Sequence, residues 1–348
     1  MVSAPAPWQL TLARIEGALP FISPELSECL ALASLRRLWR VHVRDYPFDN
    51  LGIEHNPGLE ADELMRSWYS EERRQFLSWI SRRGHPPLAH AAKLAMADRD
   101  AYLTDPTFRD VPVARLLDPA YHAELATRID PARAVIPPAA TNPIGGGTIY
   151  LAVVDADGNA VSLIESNYLG FGSGVVDPDT GVHYQDRGSY FSLDPAHPNV
   201  LEPGKRTLHT LLPGMLFRDG AGGQGGSSPW IVAGSMGGDA QPQIHAQFVS
   251  AVVDGGVDVR TAVAAPRWFI EPADHFAPPT AVHLEPRHAL GIAEHLTALG
   301  HDLAPTVAFD GNLGHEHAIE LVAGGPAQPD GSLAAATDPR SAGVPAVW

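Results

Sequence analysis

The stretch that most constrains the fold runs from Gly145 to Gly174, GGGTIYLAVVDADGNAVSLIESNYLGFGSG. Three glycines end at Gly147, directly before Thr148, and a strand-like run from Ile149 to Val154 follows. Glycine adopts backbone conformations that other residues avoid, so the peptide bond before Thr148 can be held bent and exposed. That bond is a candidate for self-cleavage. Cleavage would leave Thr148 with a free α-amine beside its hydroxyl, which places a nucleophile and a general base in one residue.

Apolar residues alternate on both sides of a turn signal after Thr148, and this pattern predicts a β-hairpin. The turn segment is Asp155–Asn159, with the sequence DADGN. Its acidic spacing also resembles a calcium-binding loop. An EF-hand loop needs Gly at its sixth position and Glu at its twelfth, where this chain has Ala160 and Ser166. We therefore predict a turn here and no metal site.

The net charge of the chain limits which kinds of molecule it can bind. The chain has 24 basic and 40 acidic residues and a formal net charge of -16, which argues against nucleic acid or an anionic membrane surface. The single cysteine, Cys29, cannot form an internal disulfide, and its acidic neighbours argue against a reactive thiolate. We see no signal peptide and no apolar window long enough for a membrane span, so the chain as written is expected to be cytoplasmic.

We divide the chain into three segments: residues 1–87, 88–147 and 148–348. The first is rich in Arg and Trp and predicts two or three amphipathic helices, with an altered gene start or a shifted reading frame as the alternative origin. A helix is predicted from Leu88, and LLDPAYHAELATRID predicts a second, short one. A linker rich in Pro and Ala follows from Pro131 to Pro143, and such segments tolerate nicking.

From about His90 to Trp348 the order of motifs resembles the γ-glutamyltranspeptidase family of N-terminal-nucleophile hydrolases. The matching pieces are AKLAMADRDAYLTDP, the Thr148 stretch, GFGSGVV, QDRGSYFSLDP, PGKRTLHTLLP, GSMGGDAQPQ, APRW and ATDPRS. The resemblance implies an α+β fold, a four-layer αββα sandwich of two facing antiparallel sheets with Thr148 beginning a central strand. Residues 1–87 do not resemble the family's region at that place, so the sandwich could be incomplete in this chain.

The resemblance also implies the catalytic groups. Thr148 would be the nucleophile after cleavage between Gly147 and Thr148, and Ser166 stands where the family has a second hydroxyl that hydrogen-bonds it. Gly237 and Gly238 match the family's oxyanion-hole glycines, whose backbone N–H groups stabilise the tetrahedral intermediate. No cofactor and no metal is implied.

The substrate-binding positions depart from the family pattern. Tyr168 stands where many members carry an asparagine, and Arg187 replaces a neutral amide. Tyr190 occupies the position of the carboxylate that binds the α-ammonium of γ-glutamyl substrates. A cationic Arg187 would suit an acyl group that bears a carboxylate, such as a glutaryl group or a dicarboxylic half-amide. The alternative for Arg187 is a surface ion pair with Asp186 or Asp194.

Two further groups of polar residues need an interpretation. His209 and Thr210 stand where γ-glutamyl enzymes have two serines that contact the substrate's α-carboxylate, and acylase-like branches are more similar to the His-Thr version. His315, Glu316 and His317 have an i, i+2 spacing on a predicted strand without a third ligand at zinc spacing, which favours a sheet surface over a metal site.

The leading functional hypothesis is an autocatalytically processed amidase or acyltransferase that acts on a small-molecule amide or γ-glutamyl substrate. Its cleaved fragments would stay together as a heterodimer. Within this class the choices are a γ-glutamyltransferase or glutathione hydrolase, and an acylase or small-amide hydrolase such as oxamate amidohydrolase. A third alternative is an inactive remnant, because the start of the large subunit does not resemble the family.

Overall fold

The structure, a computed structural model, describes residues 85–130, 133, 147–219, 227–270, 281–288, 291–322 and 332–347. The helices predicted before residue 85 therefore lie outside the described residues. Nearly all of the linker, together with Gly145 and Gly146, lies outside them as well. The division into three segments stays a prediction.

The helices of the described residues are mostly short. Their bounds are α1 His85–Tyr102, α2 Val113–Leu116, α3 Pro119–Thr127, α4 Gln241–Val249, α5 Val259–Ala264 and α6 Ile292–Ala298. Helices α1 and α3 confirm the two helices predicted from the sequence. The Asp118 side chain caps α3 by accepting the Ala120 N–H at 2.8 Å, and Pro119 begins the helix, where its missing N–H costs nothing.

The described strands form three sheets. Their bounds are β1 Thr148–Val154, β2 Ala160–Ser166, β3 Gly214–Asp219, β4 Ser227–Met236, β5 Trp268–Ile270, β6 Val282–Leu284, β7 Leu303–Pro305, β8 His315–Leu321 and β9 Leu333–Ala336. Strands β1 and β2 form an antiparallel hairpin; β3, β4, β8 and β9 form an antiparallel sheet; and β5, β6 and β7 form a mixed one. The hairpin predicted around the DADGN turn is confirmed, with Asp155 accepting three hydrogen bonds from Asn159 and Asp157.

Strand β4 lies inside the four-stranded sheet, and other elements pack against both of its faces. Its residues Ile231, Val232 and Ala233 are at most 1% exposed. Helices α4 and α5 pack on one face of the four-stranded sheet, and the β1–β2 hairpin packs on the other. Gly234 permits this close approach, because a Cβ there would stand 2.1 Å from the ring of Tyr150 in β1.

The outer face of the β1–β2 hairpin is apolar and open. Its aliphatic side chains are between 41% and 66% exposed: Ile149, Leu151, Val153, Val161 and Leu163. The α+β class is confirmed, with a helix layer, a four-stranded sheet and a facing hairpin among the described residues. No helix in the described part of the chain is both long enough and apolar enough to cross a bilayer.

Candidate active site

Thr148 and Ser166 face each other at the open end of the hairpin. Thr148 begins β1, Ser166 ends β2, and the antiparallel register pairs them directly. Their hydroxyl oxygens, Oγ1 and Oγ, lie 2.7 Å apart. The turn sets this pairing, because the length of a hairpin loop fixes the register of the strands it joins.

The other hydrogen bonds of Ser166 decide which hydroxyl is the donor. Its Oγ accepts the backbone N–H of Tyr168 at 2.9 Å and the Nη2–H of Arg187 at 3.1 Å. A serine hydroxyl has one proton and two lone pairs, so both lone pairs are used. Ser166 therefore donates to Thr148, and the proton of Thr148 is left for another acceptor. Such a donor stabilises negative charge on the Thr148 oxygen.

The backbone at Gly147 packs closely against the chain at Asn167 and Leu169. The Gly147 carbonyl oxygen accepts the backbone N–H of Asn167 at 3.4 Å. A Cβ at Gly147 would stand 2.6 Å from the carbonyl oxygen of Leu169, a separation that real Cβ atoms do not show. Glycine is thus required at this position for a steric reason.

A pocket opens beside the two hydroxyls. It has a volume of about 480 Å³ and is lined by Gly147, Thr148, Ile149, Glu165, Ser166, Asn167, Met236 and His315. Met236 is the last residue of β4, so the pocket extends from Thr148 to the start of the glycine turn that follows this strand.

Gly237 and Gly238 form that turn. Gly237 has φ 146°, Gly238 has φ 51°, and the Ala240 N–H donates to the Gly237 carbonyl oxygen at 2.9 Å. Both φ values lie in the region that favours glycine. A Cβ on Gly237 would also stand 2.8 Å from Cδ1 of Ile244. The turn itself thus carries no side chain at these two positions, which is the property that glycine contributes to an oxyanion hole.

Arg187 lies inside the protein, in a short 3₁₀ turn from Arg187 to Tyr190. The side chain is 6% exposed, and its Nη1 donates to the Thr210 hydroxyl at 2.7 Å. The guanidinium also lies 4.8 Å from the ring centroid of Tyr168. The alternative interpretation of Arg187 as a surface residue is therefore wrong. The Ser166 hydroxyl contacts both the Arg187 guanidinium and the Thr148 hydroxyl, so it links the positive charge to Thr148.

Tyr168 and Tyr190 form an aromatic wall next to this arginine. Their ring centroids are 4.8 Å apart, and both residues are buried. Tyr168 has φ 73°, an uncommon conformation for a residue with a side chain, which often marks a functional site. Burial, together with the nearby Asp239 carboxylate, raises the pKa of Tyr168 to about 12 and raises the pKa of Tyr190 well above its ordinary value. Both tyrosines are neutral near pH 7.

Two of the predicted substrate-binding residues have hydrogen-bond partners within the protein, and their contact with substrate stays a prediction. The hydroxyl of Tyr190 donates to Asp239 Oδ2 at 2.7 Å, so it is engaged with a carboxylate of the protein. His209 is half-buried, and its Nδ1 accepts the Leu211 backbone N–H at 3.1 Å within its own loop. Neighbouring Thr210 is the residue of this pair that contacts Arg187.

Several residues near the site were missed by the sequence reasoning. Asp239 contacts Tyr190 and the buried Arg99 of α1, while Asn167, Met236 and His315 border Thr148 or its pocket. For Arg99 and Asp239 the available signals were the ADRD and GGD segments, which carry charges into otherwise apolar or glycine-rich surroundings.

The prediction that His315, Glu316 and His317 form a sheet surface is wrong for Glu316, whereas the two histidines are half-buried. Glu316 is fully buried between the four-stranded sheet and α4, where its Oε1 lies 3.8 Å from Nδ1 of His245. Burial raises the pKa of Glu316 to about 8 and lowers that of His245 to about 3. Both side chains are therefore largely neutral near pH 7. Within the described residues, no group of three or more metal-ligating side chains is placed to hold an ion.

Comparisons with known proteins agree with this architecture. The family model of γ-glutamyltranspeptidase matches residues 74–348. The glutathione hydrolase-like YwrD proenzyme of Bacillus subtilis is 46% identical over 181 residues, which are 52% of this chain and 33% of that protein. The oxamate amidohydrolase proenzyme of Klebsiella pneumoniae is 40% identical over 270 residues, 74% of this chain and 46% of that protein.

A solved structure extends the likeness to three dimensions. The cephalosporin acylase of Bacillus halodurans superimposes with a TM-score of 0.66 at 33% identity, covering 92% of this chain and 49% of that one. The chain thus spans less than half the length of these three relatives. The family model nevertheless covers most of it, and the chain belongs to the γ-glutamyltranspeptidase family of N-terminal-nucleophile hydrolases.

Proposed function

We propose that this chain cleaves its own peptide bond between Gly147 and Thr148 and then hydrolyses small amides with Thr148 as the N-terminal nucleophile. The observation that carries the proposal is the 2.7 Å contact between the Thr148 and Ser166 hydroxyls beside a pocket. Ser166 donates in this contact, so it stabilises the oxygen that must attack a carbonyl carbon. Two close relatives are named as proenzymes, which is consistent with processing.

Self-cleavage begins when Thr148 Oγ1 attacks the carbonyl carbon of Gly147. The C–N bond between the two residues breaks, the Thr148 nitrogen takes the proton that the Thr148 hydroxyl gives up and becomes an amine, and an ester joins Gly147 to the Thr148 oxygen. Water then hydrolyses the ester to a Gly147 carboxylate and a free Thr148 hydroxyl. The Asn167 N–H, which already donates to the Gly147 carbonyl oxygen at 3.4 Å, lies where the tetrahedral oxyanion develops.

Amide hydrolysis then uses the new N-terminus. The α-amine of Thr148 accepts the proton of its own hydroxyl as Oγ1 attacks the substrate carbonyl, and the same proton passes to the leaving amine. The N–H groups of Gly237 and Gly238 stabilise the tetrahedral oxyanion. Water, or an acceptor amine, attacks the acyl ester and restores the Thr148 hydroxyl.

The acyl group that fits this site best carries a carboxylate. Arg187 is a buried cation hydrogen-bonded to Thr210 and Ser166, and it supplies positive charge next to the nucleophile. A γ-glutamyl group also carries an α-ammonium, which needs an anionic partner. Tyr190 supplies no such anion, Asp239 is already paired with Arg99, and Glu165 is the one carboxylate among the residues that line the pocket. We favour substrates of the oxamate or glutaryl type over γ-glutamyl substrates, because Tyr190 stands at the position of the family's ammonium-binding carboxylate.

An inactive, association-only protein is the second candidate. The observation in its favour is the exposed aliphatic outer face of the β1–β2 hairpin, where Ile149 is 66% exposed. An αββα sandwich covers that face with a layer of helices. A protein that associates through this face need not cleave itself, so processing separates the two candidates.

The first experiment follows the intact mass of the purified chain over hours, with Thr148→Ala and Thr148→Ser as variants. We expect the wild type to give two fragments that break between Gly147 and Thr148, Thr148→Ser to cleave, and Thr148→Ala to stay whole. Periodate oxidises a vicinal amino alcohol, so it should convert the new N-terminal threonine to an aldehyde that a hydroxylamine probe labels. A wild type that remains at full mass would favour the inactive alternative.

The second experiment compares oxamate, glutaryl-p-nitroanilide and γ-glutamyl-p-nitroanilide. The two anilides differ only in the α-ammonium group, so the ratio of their kcat/KM values measures the preference directly. We expect the glutaryl compound to be the better anilide substrate and Arg187→Gln to lower kcat/KM for both anilides, because both carry the carboxylate that Arg187 is proposed to bind. A wild type that prefers the γ-glutamyl compound would overturn the assignment of the acyl group while leaving the nucleophile in place.

A further inference from the structure

Asp239 directly follows the Gly237–Gly238 turn in the chain, and this residue is 2% exposed. Two side chains from other elements hold it. Arg99 of α1 donates through Nη1 to Oδ1, in an ion pair whose two side chains are each 1% exposed. The Tyr190 hydroxyl donates to Oδ2 at 2.7 Å. Each carboxylate oxygen therefore has its own partner.

The glycine turn needs such an anchor. Gly237 and Gly238, with φ 146° and 51°, occupy conformations that only glycine adopts easily, and glycine loses the most backbone freedom when it is fixed. An oxyanion hole stabilises charge only if its donors are preorganised. Because Asp239 is the next residue in the chain, fixing its side chain limits the directions in which the Gly238 and Asp239 peptide groups can point.

The same anchor reaches the wall that holds Arg187. Tyr190 ends the 3₁₀ turn that Arg187 begins, its ring packs against that of Tyr168, and Tyr168 lies under the Arg187 guanidinium. The path from Asp239 through Tyr190 to Arg187 consists of buried side chains in direct contact. It joins the group that binds the oxyanion to the group proposed to bind the substrate carboxylate.

We propose that Asp239 is a positioning residue which, held by Arg99 and Tyr190, fixes the oxyanion turn relative to Arg187. The inference rests on the proposed function of the site, and it adds two residues, Asp239 and Arg99, that touch no substrate. Asp239 and Arg99 hold the oxyanion donors in the position that the transition state requires. Their loss should therefore lower kcat rather than substrate affinity.

The test uses Asp239→Asn in the full chain. Asparagine keeps the shape and an acceptor for Tyr190 but removes the ion pair, while Arg99 keeps its bond to Asp100 at 3.0 Å, so the variant is expected to fold. The substrates are oxamate, glutaryl-p-nitroanilide and γ-glutamyl-p-nitroanilide. We expect kcat to fall by about 10²- to 10³-fold, the scale of losing one oxyanion donor, with KM nearly unchanged. Arg99→Lys should retain more kcat than Arg99→Gln.

A matched control separates positioning from stability. Glu285 is fully buried and pairs with Arg340 at 2.7 Å and Arg287 at 2.6 Å, away from the residues of the site. Glu285→Gln also breaks buried ion pairs, so it should lower Tm and leave kcat unchanged.

A loss of kcat in Asp239→Asn without a loss of kcat in Glu285→Gln supports the proposal. Wild-type kcat in Asp239→Asn, or equal losses of kcat in Asp239→Asn and Glu285→Gln, overturns it and leaves the proposed function standing. A wild type that neither cleaves itself nor hydrolyses any of the three substrates overturns the proposed function, and the inference falls with it.

Discussion

Replacing Ser166 with alanine tests the donor assignment at the nucleophile most directly. Ser166 gives its only proton to Thr148, since its lone pairs accept from Tyr168 N–H and Arg187 Nη2–H. Oγ1 of Thr148 gains negative charge as it attacks, and a hydrogen bond to a charged group contributes about 1.5–3 kcal/mol. At about 1.36 kcal/mol for each tenfold change, Ser166→Ala should slow the reaction by about 10- to 150-fold.

Two rates measure this effect: cleavage between Gly147 and Thr148, followed by intact mass, and hydrolysis of glutaryl-p-nitroanilide. The matched control is Ser162→Ala, because Ser162 lies in the same strand and its Oγ is 2.8 Å from the Tyr150 hydroxyl, away from Thr148. We expect the control to cleave at the wild-type rate. If Ser166→Ala cleaves and hydrolyses as fast as the wild type, Ser166 does not activate Thr148 and the donor argument is wrong.

Three further predictions follow from the packing around the site. Gly237→Ala puts a side chain at φ 146°, with its Cβ 2.8 Å from Ile244 Cδ1, so it should lower stability by about 1–3 kcal/mol and abolish most amide hydrolysis, as thermal unfolding and kcat will show. Gly234→Ala drives a Cβ into the Tyr150 ring, 2.1 Å away, and should destabilise the protein by about 3 kcal/mol in urea unfolding; an unchanged midpoint would contradict the packing of the hairpin on β4. The third concerns Glu316, whose pKa rises from 4.5 to about 8 on folding because it is buried, so the folded state binds more protons than the unfolded state and stability falls as pH rises through this window. The neighbouring buried histidine gives the opposite slope only below its ordinary pKa of 6.5, so Glu316→Gln should flatten the pH dependence of Tm between pH 6.5 and 8; an equally steep decline in the variant would contradict the assignment.

Local sequence was sufficient to predict the pairing of Thr148 with Ser166. The Thr148 strand, the DADGN turn and the Ser166 strand are contiguous, and strand alternation with turn length fixes which residues pair. Gly237 and Gly238 were identified from the resemblance of the GSMGGDAQPQ segment to the family, and both have the positive φ angles that glycine favours. In each case, the residues that determine the structure are neighbours in the chain.

The tertiary structure decided the contacts between distant segments. Arg99 and Asp239 are 140 residues apart, and Tyr190 and Asp239 are 49 apart, so no local pattern indicates that they meet. The burial of Arg187 and Glu316 likewise depends on which layers pack over them, whereas a sequence shows only that a charged residue is present. By itself, the sequence determined the family, the hairpin, and the candidate nucleophile and oxyanion groups. Only the packing of α1, the 3₁₀ turn and β4 against one another decided which charges are neutralised inside the site, because that depends on distances between segments that the chain order does not fix.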